Sequence, residues 1–208
     1  MKKRFSLYAY LLISVSASAQ KSPPFYFTNK PIIADSASTV MLPVLYNVSS
    51  GSTDKMAYSG RYYANIIFYD YLTDSTHALF KENTYIKIFE QHRYSFYERP
   101  ETPCFKTSKW IFYEVSNIDR NQSGQIDYFD PVILYVSDLH GNKLERITPE
   151  NENLIEITIY DSLGIAMLKM QRDSKNDLDF DYRDRSYYYV ELDRKTLTRG
   201  QPIETPVK

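Results

Sequence analysis

"NLIEITIYDSLGIAMLKMQ", Asn153 to Gln171, decides the fold. Ile155, Ile157 and Ile159 fall on one side of an extended chain and Glu156 and Thr158 on the other, because side chains alternate along a strand. Asp161-Ser162-Leu163-Gly164 then supplies residues that reverse a chain, and Ile165 to Met170 begins a second extended run. The stretch reads as an antiparallel hairpin. Similar runs occur at "TVMLPVLYNV" (39–48), "ANIIFYDYL" (64–72), "WIFYEVSNI" (110–118), "PVILYVSDL" (131–139) and "RSYYYVELD" (185–193). Pro43 has no amide to give a ladder, so the first of these is expected at a sheet edge or beside a bulge. Twenty tyrosines and eleven phenylalanines against six glycines favour strands. No window has a clear helical period, and only 84–97 is ambiguous. The expected class is all-β.

An internal repeat extends this reading. "IDRNQSGQIDYFDPVILYVSDLHGNKL" lines up with "RDSKNDLDFDYRDRSYYYVELDRKTL", so that Asp119 matches Asp173, Asp127 matches Asp181, Asp130 matches Asp184 and Tyr135 matches Tyr189, each at an offset of 54 residues. The two units cover about 110–163 and 164–208 of a single domain spanning 20–208. Upstream, "NIIFYDYLTDSTHALF" has the same strand, turn and strand without the acidic loop. Such a period points to stacked or radially arrayed β units.

The segment "ILYVSDLHGNKLERITPE" resembles the TolB-type and WD-type β-propeller repeats, in which an aromatic strand ends in a D-x-x-G turn and a basic or polar return strand finishes in a Leu-Thr pair. The last unit, "VELDRKTL", departs from that pattern in having no glycine. The resemblance implies antiparallel hairpin repeats shaped like propeller blades. A partial or small propeller and a β-sandwich of the same hairpins both remain open. It also implies an interaction partner in the cell envelope.

Within the first unit, "DRNQSGQIDYFD" (119–130) places oxygen-bearing side chains at alternate residues. Calcium takes about six to eight oxygens, and a coiled loop with this spacing can aim them at one point. Asp119, Asn121 and Ser123 fill positions 1, 3 and 5, and Gln125 offers its carbonyl at 7. Asp127 and Asp130 fill 9 and 12. Gly124, at position 6, suits a sharp turn of positive φ, and Ile126 is an apolar pin at 8. The loop resembles an EF-hand-type calcium loop of the dockerin variety, which also ends in aspartate. Its flanks read as strands, so it cannot open a pair of helices on binding. Stapling a long hairpin loop is the expected role of the ion.

The second copy offers Asp173, Asp177, Asp179, Asp181 and Asp184 but is a poorer site. Lys175 stands at position 3, where it brings a cation toward a cation. Leu178 stands at position 6, where positive φ costs a leucine about 1–2 kcal/mol. Arg172, Arg183 and Arg185 are alternative neutralisers of these acids.

Residues 1–19 read as a secretory signal peptide: Lys2, Lys3 and Arg4, an apolar run too short to span a bilayer, then Ala17-Ser18-Ala19. A periplasmic or secreted destination follows. Without those three basic residues the formal net charge moves from -1 to -4, which disfavours nucleic acid and anionic membrane as partners. No further apolar run is long enough for a membrane span. Cys104 is the single cysteine, so no internal disulfide can form.

His77, His92 and His140 belong to no catalytic motif, and no nucleophile elbow, zinc-helix pair or phosphate loop occurs. The expected function is a calcium-stabilised binding or scaffolding module of the cell envelope, with an envelope protein or glycan as partner and no catalytic residues assigned. The alternative is a glycan or envelope-polymer hydrolase, which requires two carboxylates on one cleft away from the acidic loops. Glu90, Glu98 and Glu114 are the spare acids for it.

Overall fold

The computed structural model describes residues 25–27, 31–34, 38–48, 54–88, 104–105 and 109–204. The leader at 1–19, His92, Glu90 and Glu98 lie outside them. The first strands are β1 (Phe25–Phe27), β2 (Ile32–Ala34), β3 (Thr39–Tyr46), β4 (Tyr63–Asp70) and β5 (Ser75–Ala78). The next are β6 (Tyr85–Ile88), β7 (Cys104–Phe105), β8 (Trp110–Ser116), β9 (Ile133–Asp138) and β10 (Glu145–Arg146). The last four are β11 (Glu152–Tyr160), β12 (Ile165–Arg172), β13 (Ser186–Asp193) and β14 (Ile203–Glu204). The α-helix among the described residues, α1 (Lys55–Tyr58), is short and is capped by Asp54, whose carboxylate accepts from the Ala57 amide. This turn of helix lacks the length to leave a period in the sequence.

The strands form a ten-stranded sheet and a four-stranded one. The ten-stranded sheet narrows between two antiparallel runs, β2-β3-β4-β5 (the first sheet) and β6-β8-β9-β10 (the second, or middle, sheet), and β11-β12-β13-β14 is the third. A single pair, Tyr63 with Ile86, joins the first to the second. β1 lies along β3, and β7 lies parallel to β2. The class is therefore all-β, with blade-like antiparallel sheets that do not close on themselves.

Two cores separate the three sheets. Phe112, Leu134 and Val136 of the middle sheet meet Leu154, Ile157, Ile159, Leu168, Met170 and Val190 of the third. Ile111, Tyr113 and Val115, on the other face of β8, meet Met41, Ile66, Phe68 and Ile86. Covering both faces explains why "WIFYEVS" reads as a nearly unbroken apolar run. "SYYYVELD" of the outer sheet alternates, with Tyr188, Val190 and Leu192 buried and Tyr189 and Glu191 exposed. Each fully buried side chain of this size contributes about 1.5–3 kcal/mol.

One expectation needs correction, and another is met in the second of its two forms. Ile155 does not share a face with Ile157 and Ile159: the register shifts between Leu154 and Glu156, so Leu154 is buried and Ile155 is exposed. Pro43 is inside the sheet rather than at its edge. It faces Ile66 on one side, and on the other falls between Met41, the last residue paired to β2, and Val44, the first paired to β1. The expected bulge lies next to it, between Val44 and Leu45.

Candidate functional site

The second hairpin of each sheet is closed by a long connection: the one between β3 and β4, whose described residues 54–62 carry α1, then 117–132 and 173–185. Tyr128 of the second loop reaches the Lys55 carbonyl at 3.5 Å. The Phe180 amide donates to the Phe129 carbonyl at 2.8 Å, and Asn121 Nδ2 donates to Asp179 Oδ1 at 2.6 Å. Arg120 crosses to Asp173 at 3.3 Å and lies over the Phe180 ring. The three loops thus form one continuous end of the molecule.

In the 119–130 loop, each predicted position has a defined partner. The two Asp119 oxygens accept from the Ser123 and Gly124 amides, both at 2.9 Å. Asn121 Oδ1 accepts from the Ser123 amide, and Ser123 Oγ donates to the Gln125 carbonyl. Asp130 accepts from the Arg120 and Asp127 amides at 2.8 and 2.9 Å, and Asp127 Oδ1 accepts from the Phe129 amide. Gly124 takes φ +92° with no atom near its missing Cβ, as position 6 requires. One hydrogen bond to a carboxylate oxygen leaves lone pairs for a cation. Burial raises the Asp130 carboxyl above its ordinary range despite these amides, and the neighbouring charges of Asp127 and Asp119 add to the rise. Among the described residues, no ion pair reaches Asp119, Asp127 or Asp130.

The 173–184 loop is tighter. Asp173, Asp177 and Asp184 each offer an oxygen with all three atoms within 4.8 Å of one another, the one such acidic group among the described residues and one able to hold a metal ion. Asp119, Asp127 and Asp130 are not drawn together to that degree. Lys175 already places a charge in the second loop, with Nζ 2.7 Å from Asp177, 3.3 Å from Asp181 and 3.8 Å from Asp184. Arg183 clasps Asp181 through two of its nitrogens. Of the arginines expected to neutralise this loop, Arg183 does so, whereas Arg172 turns to Glu204 and Glu152. Arg183 first, and Lys175 after it, hold the Asp181 carboxyl down at about 2. Burial pushes Asp184 up, but the Ser174 hydroxyl, the Asp181 and Ser174 amides and Lys175 leave it below its ordinary range. Asp179 spends one oxygen on Asn121. Leu178 has φ +69°, the strained conformation its position predicts.

A cleft of about 570 Å³ opens beside the first acidic loop at residues 79–84, a segment tied at both ends to β4 by the Leu79 amide on the Ile66 carbonyl and the Thr84 amide on the Ala64 carbonyl. Phe80, Tyr135 and Ile126 line it together with Asn117. Sequence reasoning missed this cleft. Glu82 is the single acid lining it, and the spare acid Glu114 is paired with Lys87 at 2.5 Å. His140 is tied into the fold, its Nδ1 being 2.6 Å from the buried Thr39 hydroxyl, and His77 stacks on Phe68. Exposed aromatics mark all three loops: Tyr58, then Tyr128 and Phe129, then Tyr182. Tyr128 and Tyr182 stand at the same offset of 54 residues as the acids, a signal already present in the repeat. Among the described residues, no helix is long and apolar enough to cross a membrane.

No family model matches the chain. No curated protein matches it either. Among solved structures, an oligogalacturonate lyase in complex with manganese is similar over 89% of this chain and 44% of its own, at 7% identity and a TM-score of 0.47. An oligogalacturonate lyase from Vibrio parahaemolyticus is similar over 89% and 43%, at 9% identity and a TM-score of 0.46. A chain from the structure of Tne2 in complex with Tni2 is similar over 88% and 98%, at 12% identity and a TM-score of 0.40. The chain spans less than half the length of either lyase chain. The all-β assignment rests on the strand pairing described above.

Proposed function

We propose that this chain is an exported binding module, periplasmic or secreted, whose loop end is held by charge in two ways. In the 173–184 loop the charge comes from Lys175, which reaches Asp184, and from Arg183 on Asp181. In the 119–130 loop it is a divalent cation, and the all-oxygen donor set of Asp119, Asn121, Ser123, Gln125, Asp127 and Asp130 suits calcium. One observation supports this most directly. Asp130 and Asp184 are equivalent and both buried, at 2% and 0% exposure, yet only Asp184 has a cationic side chain within 4 Å. A buried carboxylate is costly without a compensating charge. Bound at a hundredfold excess over its dissociation constant, calcium would add about 2.7 kcal/mol to stability.

The cleft supports binding over hydrolysis. Hydrolysis of a glycosidic bond uses two carboxylates, and Glu82 is the single acid among the residues lining it.

Calorimetric titration of calcium into chelator-treated protein tests the cation. Wild type should give a saturable heat that Asp119→Ala loses. A flat wild-type trace would end the reading.

A further inference from the structure

We propose that the cleft between the first and second sheets is a subsite for a neutral sugar residue of a glycan. This deepens the binding-module reading and requires no cation in the neighbouring loop. At about 570 Å³, the cleft falls within the roughly 300–1,000 Å³ of small-molecule sites. Leu79, Phe80, Ile126 and Leu144 form its apolar wall, and Tyr135 meets Phe80 edge to face with ring centroids 5.3 Å apart.

The polar side is incomplete. Asn117 Nδ2 donates to Tyr135 Oη at 3.2 Å, so the tyrosine keeps its own hydroxyl hydrogen to give. Asn117 Oδ1 is closed off from solvent and has no hydrogen-bond partner. The third sheet shows what is missing. There Gln171, 54 residues on from Asn117, is fully engaged: Asn153 donates to Oε1 at 2.9 Å, and Nε2 donates to the Asp181 and Asp184 carbonyls at 2.8 and 2.9 Å. Asn153 stands opposite Gln171 in the ladder. In the middle sheet the residue before Tyr85 is Thr84, and its hydroxyl donates to the Ser116 carbonyl at 2.6 Å instead. An orphaned buried acceptor calls for an explanation; a turn of the carboxamide that brings Oδ1 to the cleft exchanges the Nδ2 bond to Tyr135 for a bond from the ligand, and leaves the tyrosine hydroxyl to the ligand as well.

An acceptor beside a donor, set against aromatic and aliphatic walls, describes the complement of a sugar ring. Each hydroxyl can donate to Asn117 and accept from Tyr135, while the C–H face packs on the walls. Lys81 and Glu82 are exposed in the lining and opposite in charge, which favours a neutral ligand. Ile126 also borders a smaller cavity of about 70 Å³ beside Tyr128 and Phe129. Both rings are about half exposed, so further sugar residues would find aromatic faces there.

The test titrates the full chain with cellotriose, chitotriose and maltotriose, and with trialanine as a peptide probe, each in calcium and in chelator. At least one trisaccharide should bind with a dissociation constant of about 1 mM or tighter. Asn117→Ala should weaken it at least tenfold. Glu82→Trp, a substitution at an exposed position that crowds the cleft, should do the same with the melting temperature unchanged. The proposal is overturned if no trisaccharide binds at about 10 mM, if Glu82→Trp binds as wild type does, or if trialanine alone binds. Trisaccharide binding in a protein that gives no calcium heat would remove the cation reading and leave the sugar subsite standing.

Discussion

The ammonium of Lys175 lies 3.8 Å from the buried carboxylate of Asp184, at the place in its loop that the uncharged Asn121 holds in the other. Lys175 and Asn121 are 54 residues apart in the repeat, so on the cation reading proposed above the two loops would answer one electrostatic problem with different groups. Lys175→Asn should convert the second loop to the chemistry of the first. We expect a lower melting temperature in chelator, recovery of that loss in calcium, and a calcium stoichiometry that rises by one. Thermal melts under both conditions, with calorimetry, check this. A variant as stable as wild type in chelator would mean that Lys175 is not the loop's counter-ion.

The same cluster sets a pH dependence. Lys175 lowers the Asp177 carboxyl, and Arg183 followed by Lys175 lowers that of Asp181 to about 2. A carboxyl depressed in the folded state adds stability that is complete above its unfolded value, about 4, and disappears as pH falls through the folded value. Asp181→Asn should therefore cost most at pH 6 and progressively less as pH drops toward 2. Melting temperatures of wild type and variant across that range give the comparison. A difference that stays constant with pH would contradict the assignment.

Leu178 and Gly124 occupy the same loop position with φ +69° and +92°, but only glycine adopts such a conformation without steric cost. Leu178 is 39% exposed, so its side chain is only partly packed and the relief of strain competes with the loss of that packing. Leu178→Gly should stabilise the protein by about 1 kcal/mol, the left-handed strain of about 1–2 kcal/mol less the entropy of a freer unfolded chain. Denaturant unfolding of the variant measures it, and a loss of stability would show that Leu178 packs more than it strains.

The strands and the order of oxygen-bearing residues in the loops were legible because both are local. Apolar runs, alternating or nearly unbroken, located β3, β4, β8, β9, β11, β12 and β13, and the spacing of Asp119 to Asp130 follows from a coiled loop alone. Ile155 misled because a bulge changes which face a residue takes without any change in composition. The bonds from Asn121 to Asp179 and from Arg120 to Asp173 join separate units, so spacing within one loop cannot encode them. The cleft is harder still. Its walls come from residues 79–84, 117, 126, 135 and 144, which meet only after two sheets have packed.

The D-x-x-G turn on which the propeller resemblance rests has a physical reason that a substitution can expose. Gly141 has φ +74°, and a Cβ built there would lie 2.4 Å from Phe68 Cδ2. Phe68 is fully buried in the core between the first and middle sheets, so its ring cannot retreat into solvent. Gly141→Ala combines left-handed strain of about 1–2 kcal/mol with overpacking of about 1–3 kcal/mol. The expected loss is about 2–5 kcal/mol. Gly164 separates the two contributions: its φ is +69° but nothing lies within 4 Å of a built Cβ. Gly164→Ala should thus show the strain alone, at about 1–2 kcal/mol. Urea unfolding of both variants gives the difference, and equal losses would show that the first and middle sheets do not meet closely at the Gly141 turn.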